Sequence, residues 1–276
     1  MAEPRIVAID DSILVVWKPP RLHSAALSAG GGPNLVGWVL ERFPGLGCGP
    51  GPGLGPGRRL DAEAGLLHRL DYETAGLLLF ARTEEAFTRL RAAQEAQAIL
   101  KTYQLEASPS FKGLPGSRPL RGNPEGLSPE LWAAALANLA SLPGLAAGRS
   151  ISCRFRAYGP KGAQVACLSP GEAVPGAHRR GSPPRLYRTE IEAAAAGGLT
   201  LHASVRLAQG FRHQIRAHFA WIGLPLQGDS LYGGQSGPAL ALEAVALEFP
   251  HPVTGRHERV AIDAVSIAKN ASLPYH

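Results

Sequence analysis

The stretch "HRLDYETAGLLLFART", residues 68–83, places a cluster of charged side chains directly before a run of apolar residues. The unbroken apolar run 77–81 is typical of a strand buried on both faces. Thr83 then provides a helix N-cap and is followed by two glutamates, which are favourable in the first turn of a helix. The stretch therefore predicts a buried strand and then a helix, with Asp71 in the turn before the strand.

Short strands dominate the rest of the chain. Helices are expected at 34–43, where Asn34 is a plausible N-cap, and at 128–142 and 212–223. Because strands outnumber helices and mix with them irregularly, we predict an α+β fold with a largely antiparallel sheet. The predicted strand regions are 5–9, 13–17, 77–81, 101–107, 150–159, 162–169, 186–210 and 239–262, with hairpins at the start of the chain and at "GGLT" (197–200).

Two segments interrupt this pattern. Residues 44–57 are almost all Gly and Pro, which indicates a mobile surface loop, and they lack the G-x-x-x-x-G-K-[ST] pattern of a phosphate-binding loop. Residues 108–150 differ in composition, with Pro, Gly and Ser at both ends of a predicted Ala-rich helix, and they are predicted to be an insertion. A length of 276 residues favours a single domain over 1–276 that carries these two embellishments.

The net charge and the cysteine spacing limit the classes of protein to which the chain can belong. Lys and Arg outnumber Asp and Glu by 28 to 22, which suits a polyanionic partner and equally an ordinary basic protein. Cys48, Cys153 and Cys167 form no C-x-x-C pair, so neither a disulfide framework nor a zinc ribbon is indicated. No signal-peptide pattern and no apolar run long enough to span a bilayer is present. We predict a cytoplasmic protein that does not enter a membrane.

Asp71 is the first candidate for chemistry. A carboxylate between two apolar runs needs an opposite charge nearby to stay ionised, and an ionised carboxylate can act as a nucleophile or base. The alternative is an aspartate that caps the turn and pairs with Arg69. Taken alone, the stretch favours the salt-bridged turn.

The string "RHQIRAHFAWIG", residues 212–223, is the second candidate. Its spacing predicts a helix with apolar residues on one side and Arg212 and Arg216 sharing another. So many polar groups on two turns indicate a face toward phosphate, carboxylate or solvent, and a solvated basic helix is the alternative. His213 and His218 are five residues apart, which does not match a helical metal pair, and no cysteine is near in the sequence. We predict no metal site.

Tyr103 is the third candidate, in the alternating strand 101–107. It is either a core or sheet residue or a platform on which a nucleic-acid base stacks. The residue alone does not decide between these roles.

Several uncommon strings occur together in this chain: "DDSILVVWKPPRL", "HRLDYETAGLLLFART", "KTYQLEA", "RFRAYGPKG" and "QGFRHQIRAHFAWIGLPLQGDSLYGG". Their order and approximate spacing resemble the RluA-type RNA pseudouridine synthases, over roughly residues 5–107 and 151–265. The resemblance implies a mixed, mainly antiparallel sheet with flanking helices and a central catalytic cleft. It also implies isomerisation of uridine to pseudouridine in rRNA or tRNA, without a cofactor, by a monomer.

The resemblance implies roles for individual residues. Asp71 falls on the catalytic aspartate of the H-R-L-D motif, Tyr103 on the tyrosine that packs against the target base, and Arg216 on the arginine that pairs with that aspartate. Arg69 matches the arginine that helps to hold the flipped-out nucleotide. Further RNA contacts are expected from basic and polar residues on the rim, namely Arg58, Arg59, Arg212, His213 and Gln214.

The chain departs from the family pattern in three places. "GFR" (210–212) replaces the usual G-R-T, and Tyr72 and Ala75 replace the more usual lysine and serine beside the H-R-L-D motif. We also expect no small RNA-binding module before the catalytic part, so recognition is expected to rest on the core or on the two interrupting segments.

Two rival functions are open at this point. One is a catalytically inactive RNA-binding protein on the same fold, against which the intact Asp71, Tyr103 and Arg216 argue. The other is a glycosidase-like enzyme with paired carboxylates, but Asp71 and Glu73 lie in one turn and the sequence places no second acid.

Overall fold

The structure is a computed structural model that describes residues 2–27, 32–46, 63–110, 148–168 and 185–263. Most of the Gly/Pro segment 44–57 and of the predicted insertion 108–150, with its Ala-rich helix, lies outside the described residues. The chain divides into two compact units. Unit 1 is Met1–Thr102 with Glu243–Asp263, and unit 2 is Tyr103–Leu242 with Ala264–His276. The single domain over residues 1–276 stays a prediction.

Unit 1 is built on a sheet that begins with the predicted hairpin. β1 (Arg5–Ile9) and β2 (Ile13–Lys18) are antiparallel, and β3 (Ala75–Ala81) pairs antiparallel with β2. β9 (Leu242–Pro250) pairs parallel with β3, and β10 (His257–Ala261) pairs antiparallel with β9. Every residue of β3 is buried, as the unbroken apolar run predicts. The turn that carries Asp71 thus leads into a strand buried on both faces.

A glycine sets the spacing between β3 and β9. Gly76 lies opposite Ala244 with a φ of +125°, and a Cβ at this position would come within 2.4 Å of the Ala244 backbone nitrogen. Only glycine accepts both the conformation and the close approach. The short parallel pairing beside the Asp71 turn therefore depends on Gly76.

Two helices in the described part of unit 1 begin where their caps predict. α1 (Leu35–Arg42) begins after Asn34, whose side chain accepts a hydrogen bond from Gly37 N at 2.9 Å. α2 (Glu84–Glu95) begins after Thr83, whose hydroxyl accepts from Ala86 N at 3.1 Å. α2 closes an apolar core whose members include Ile13, Val15, Trp17, Leu77, Leu79, Ala86, Leu90 and Phe249.

Unit 2 contains the remaining strands. In order across the sheet they are β4 (Leu100–Ala107, in unit 2 from Tyr103), β8 (Thr200–Leu207), β7 (Tyr187–Gly197), β5 (Ser150–Tyr158) and β6 (Gln164–Leu168). β7 and β8 form the hairpin predicted at "GGLT", with Gly197 opposite Thr200. The β5–β7, β7–β8 and β5–β6 pairs are all antiparallel.

The third helix differs from its prediction. α3 (Gln214–Trp221) is shorter than 212–223, and all eight of its residues are buried. His213 precedes it with a φ of 56°, in the left-handed region, so the chain turns there before the helix begins. Arg212 lies before this turn, and the predicted helical face shared by Arg212 and Arg216 is wrong.

The mixture of helices with mainly antiparallel strands in the described part of the chain confirms the α+β prediction. Among the described residues, no helix combines the length and the apolar character needed to cross a bilayer.

Candidate active site

The backbone beside Asp71 is fixed by a buried serine. Ser24 Oγ donates a hydrogen bond to Leu70 O at 2.9 Å and accepts one from Leu70 N at 3.0 Å. A hydroxyl can do both at once, so it satisfies both backbone groups of the residue before Asp71. On the other side, Thr74 N donates to Asp71 O at 3.2 Å. The half-buried Asp71 therefore sits in a turn that is held at both ends.

Lys18 supports the same turn from β2. Its Nζ is buried and donates to Leu22 O at 2.8 Å, to Pro19 O at 2.9 Å and to Tyr72 O at 3.4 Å. Burial lowers the pKa of Lys18 to about 7, although the charge of Asp71 acts in the opposite direction. A cation whose charge is marginal near neutral pH thus lies close to the candidate carboxylate.

Tyr72, one of the departures from the family pattern, is exposed beside Asp71. Its ring centroid lies 4.6 Å from that of His23, with the planes tilted by 36°. The two rings form an aromatic pair at the surface of the turn. A nucleic-acid base could stack on such a pair.

His68 and Arg69 of the charged cluster have partners other than Asp71. Burial and the charge of Lys101 lower the pKa of His68 to about 3, and its Nε2 accepts a hydrogen bond from Leu79 N at 3.4 Å, so this imidazole is neutral. Burial lowers the pKa of Lys101 to about 8. Arg69 is 55% exposed and forms an ion pair with Glu63. The described ion pair of Arg69 is thus with Glu63, and its guanidinium lies at the surface.

In unit 2, a buried carboxylate holds Arg216. Arg216 Nε donates to Asp229 Oδ2 at 2.8 Å and Nη2 donates to Oδ1 at 2.7 Å, and both side chains are buried. Asp229 Oδ1 also accepts from Leu231 N at 3.1 Å and Tyr232 N at 3.2 Å. A bidentate pair of this kind fixes the guanidinium plane. Asp229 lies in the string "GDSLYGG" (228–234), and no sequence spacing links it to Arg216, because only the fold joins it to α3.

Two predicted RNA contacts, His213 and Gln214, have partners within unit 2. His213 Nδ1 lies 3.1 Å from the Tyr232 hydroxyl. The buried amide of Gln214 accepts from Phe211 N at 3.0 Å and donates to Arg188 O at 2.9 Å. A direct contact of Gln214 with RNA would first have to break these bonds.

The remaining predicted site residues are spread over the chain. Arg212 is exposed, and its guanidinium donates to Gly162 O and to Gln164 O, the latter at 3.1 Å. Tyr103 is buried in β4 of unit 2. Arg58 and Arg59 lie outside the described residues.

The structure also brings together side chains that are far apart in the sequence. His218 Nε2 lies 3.1 Å from Cys153 Sγ, although 65 residues separate them, and Cys167 completes a buried group. Burial opposes ionisation of Cys153, but contacts with Cys167 and His218 outweigh it and lower the pKa of Cys153 to about 6. Burial raises the pKa of Cys167. The expectation that His218 has no cysteine nearby holds along the chain and is wrong in space, because β5 and β6 pair with each other and α3 packs against both.

A family model described as RNA pseudouridylate synthase matches residues 56–221. The chain is 27% identical over 271 residues to ribosomal large subunit pseudouridine synthase D of Pseudomonas aeruginosa, which covers 92% of this chain and 66% of that protein. It is 30% identical over 216 residues to RNA pseudouridine synthase 2, chloroplastic, of Arabidopsis thaliana, which covers 69% of this chain and 41% of that protein. The chain therefore spans about two thirds of the first relative and less than half of the second.

Two solved structures share the fold. Human RNA pseudouridylate synthase domain containing 1 aligns with a TM-score of 0.59 at 17% identity, over 95% of this chain and 84% of that one. Human RNA pseudouridylate synthase domain containing 4 aligns with a TM-score of 0.57 at 15% identity, over 94% and 87%. At these identities the likeness concerns the fold alone.

Proposed function

The chain belongs to the RNA pseudouridylate synthase family, and from this premise we propose that it isomerises uridine to pseudouridine in RNA with Asp71 as the catalytic carboxylate. The observation that carries the proposal is the Asp71 turn. A half-buried carboxylate lies within the matched residues 56–221, and Ser24 and Lys18 bond to the backbone of its two neighbours, Leu70 and Tyr72. Such preorganisation is what a reacting group needs.

The proposed reaction is an isomerisation that balances without any redox partner. The N1–C1′ bond of uridine breaks, the base turns in its pocket, and a C5–C1′ bond forms. C5 loses its proton to solvent and N1 gains one. Asp71 acts either by attack at C1′ or by removal of a proton from C2′, and both routes require the ionised carboxylate. The target base must also leave its stack, which costs a few kcal/mol.

The family motifs supply the other proposed roles. We assign Arg216 as the partner that keeps Asp71 ionised and Tyr103 as the residue that packs against the base. Asp229 fixes the orientation of the Arg216 guanidinium through Nε and Nη2. Contacts to RNA are proposed for the residues named from the resemblance, Arg69, Arg212, His213, Gln214, Arg58 and Arg59.

The relatives suggest the class of substrate. Several of them are named ribosomal large subunit pseudouridine synthase D, so we propose large-subunit rRNA, with tRNA as the competing substrate. We also propose a monomer that acts in the cytoplasm. Light scattering on the purified chain, with and without RNA, tests the monomer.

The function is tested with transcripts of large-subunit rRNA and of tRNA that carry tritium at C5 of uridine. Tritium is released only when C5 forms its new bond, and chemical mapping then locates the product. We expect Asp71→Asn to slow release by at least roughly 10²–10⁴-fold, because the variant lacks the reacting carboxylate. Glu73→Gln is the matched control from the same turn and is expected to stay active.

Two results would count against this proposal. Undiminished release by Asp71→Asn would remove Asp71 from the chemistry. If the wild-type chain binds RNA but releases no tritium from any transcript, the catalytically inactive RNA-binding protein becomes the better description.

A further inference from the structure

A buried group of sulfur and nitrogen atoms in unit 2 has no part in the proposed reaction. It comprises Cys153 of β5, Cys167 of β6 and His218 of α3, and all three side chains are buried. We propose that these residues bind a thiophilic metal ion, of which Zn²⁺ is the representative. This inference is independent of the proposed function.

The separations of the three ligand atoms suit one small ion. All lie within 4.8 Å of one another, and His218 Nε2 is 3.1 Å from Cys153 Sγ. In a tetrahedral zinc site, bonds of about 2.3 Å to sulfur and about 2.0 Å to nitrogen place the ligand atoms roughly 3.5 Å apart. The observed values, 3.1 Å for one pair and at most 4.8 Å for the others, lie on either side of that distance.

The strand register favours a metal over a disulfide. Cys167 lies opposite Phe155, so Cys153, two residues earlier on the same face of β5, is its diagonal neighbour. Diagonal positions have Cα atoms about 7–8 Å apart, whereas a disulfide usually needs Cα atoms about 4.4–6.8 Å apart. Bridging the two sulfurs directly would require backbone movement, while an ion between them would not.

The third ligand is already oriented. His218 Nδ1 lies 2.8 Å from Thr189 Oγ1, and this contact directs Nε2 toward the sulfurs. Thr189 Oγ1 is fixed in turn by a hydrogen bond from Gln214 Nε2 at 3.2 Å. A partner on the second ring nitrogen is the usual arrangement for a metal-binding histidine.

The surroundings select a soft ion and exclude hard ones. Two thiol groups and an imidazole suit Zn²⁺ or Cu⁺, whereas Mg²⁺ and Ca²⁺ prefer oxygen ligands. The ring of Phe155 stacks on His218 at 5.0 Å and on Phe211 at 4.8 Å, so one side of the site is apolar. A bound ion would join β5, β6 and α3, the helix that carries Arg216.

The test measures Zn²⁺ and Co²⁺ binding by the full chain, purified under reducing conditions and stripped with a chelator. We expect about one Zn²⁺ per chain, a higher melting temperature with the ion, and a thiolate-to-cobalt charge-transfer band with Co²⁺. Cys153→Ser and Cys167→Ser are each expected to lose the band and most of the affinity. Cys48→Ser is the matched control and is expected to keep both.

Alkylation of the wild-type chain covers the case in which a serine variant fails to fold. Zn²⁺ is expected to slow modification of Cys153 and Cys167 but not of Cys48, as located by mass spectrometry. The proposal is overturned if no Zn²⁺ binds, if both serine variants bind it as the wild type does, or if the purified chain contains a Cys153–Cys167 disulfide.

Discussion

At the scale of single residues, Lys18 supports the Asp71 turn from β2. It is fully buried, and its ammonium group donates to three backbone carbonyls, among them that of Tyr72. Burial nevertheless lowers its pKa from 10.5 to about 7. The free energy of unfolding is therefore expected to depend on pH through this residue.

The direction of that dependence follows from proton binding. The folded chain releases the Lys18 proton at about pH 7, whereas the unfolded chain keeps it to about pH 10.5, so stability from this group rises with pH between these values. We expect urea unfolding from about pH 7 to about pH 9 to show this rise for the wild type. Lys18→Met is expected to show a smaller rise. Parallel pH curves for the two proteins would contradict the prediction.

A second lysine provides the control for this experiment. Burial lowers the pKa of Lys101 to about 8, so Lys101→Met is expected to change the slope only above about that pH.

Lys18→Met is also expected to lower the turnover rate, because the Asp71 turn loses a hydrogen-bond donor worth roughly 1–3 kcal/mol.

At the residue scale, the sequence predicts the position of Asp71 but not the side chains that support it. The motif position of Asp71 could be identified from the chain, because its charged neighbours and the apolar run are adjacent. Ser24 and Lys18 could not be linked to it, since 46 residues separate Ser24 from Leu70 and 54 separate Lys18 from Tyr72. Hydrogen bonds between a side chain and a distant backbone leave no periodic pattern in a sequence.

At the scale of elements, the pair formed by Arg216 and Asp229 joins α3 to the loop that follows it. Asp229→Asn removes the charge that accepts two hydrogen bonds from a buried guanidinium, so it is expected to lower the free energy of unfolding by roughly 3–5 kcal/mol. Glu190→Gln is the control, because its ion pair with Arg206 is partly exposed and is expected to contribute at most about 1 kcal/mol. Urea unfolding followed by circular dichroism measures both. A decrease of less than about 1 kcal/mol in the free energy of unfolding of Asp229→Asn would contradict the prediction.

The elements themselves were predicted well where their signals are local. Asn34 and Thr83 mark the starts of α1 and α2, because a capping side chain bonds to a backbone group three residues away. The start of α3 was misplaced because Arg212 fits helical spacing while His213 adopts a left-handed turn. Spacing alone does not register a change of backbone direction.

At the scale of the whole molecule, the net charge of +6 predicts how the chain binds RNA. Contacts with phosphates release counterions, so the RNA affinity is expected to fall steeply with salt, by a logarithmic slope of roughly 0.7–0.9 per contact. Arg69→Gln is expected to reduce that slope by about one contact. Filter binding at several KCl concentrations measures it.

The control for the salt experiment is another exposed arginine. Arg89 of α2 pairs with Glu85 and is not among the proposed RNA contacts, so Arg89→Gln is expected to leave the slope unchanged. Equal slopes for the wild type and Arg69→Gln would remove Arg69 from the interface.

The parallel pairing of β3 with β9 has a consequence for biosynthesis. Residues 103–242 form a continuous stretch, but unit 1 resumes only at Glu243, so β3 lacks this neighbour until the final strands have been translated. Chains leave the ribosome at about 5–20 residues per second, and domains fold as their segments emerge. The edge of β3 at Ala75 and Gly76 thus stays without its β9 partner while residues 82–242 are translated, an interval in which chaperones can engage it.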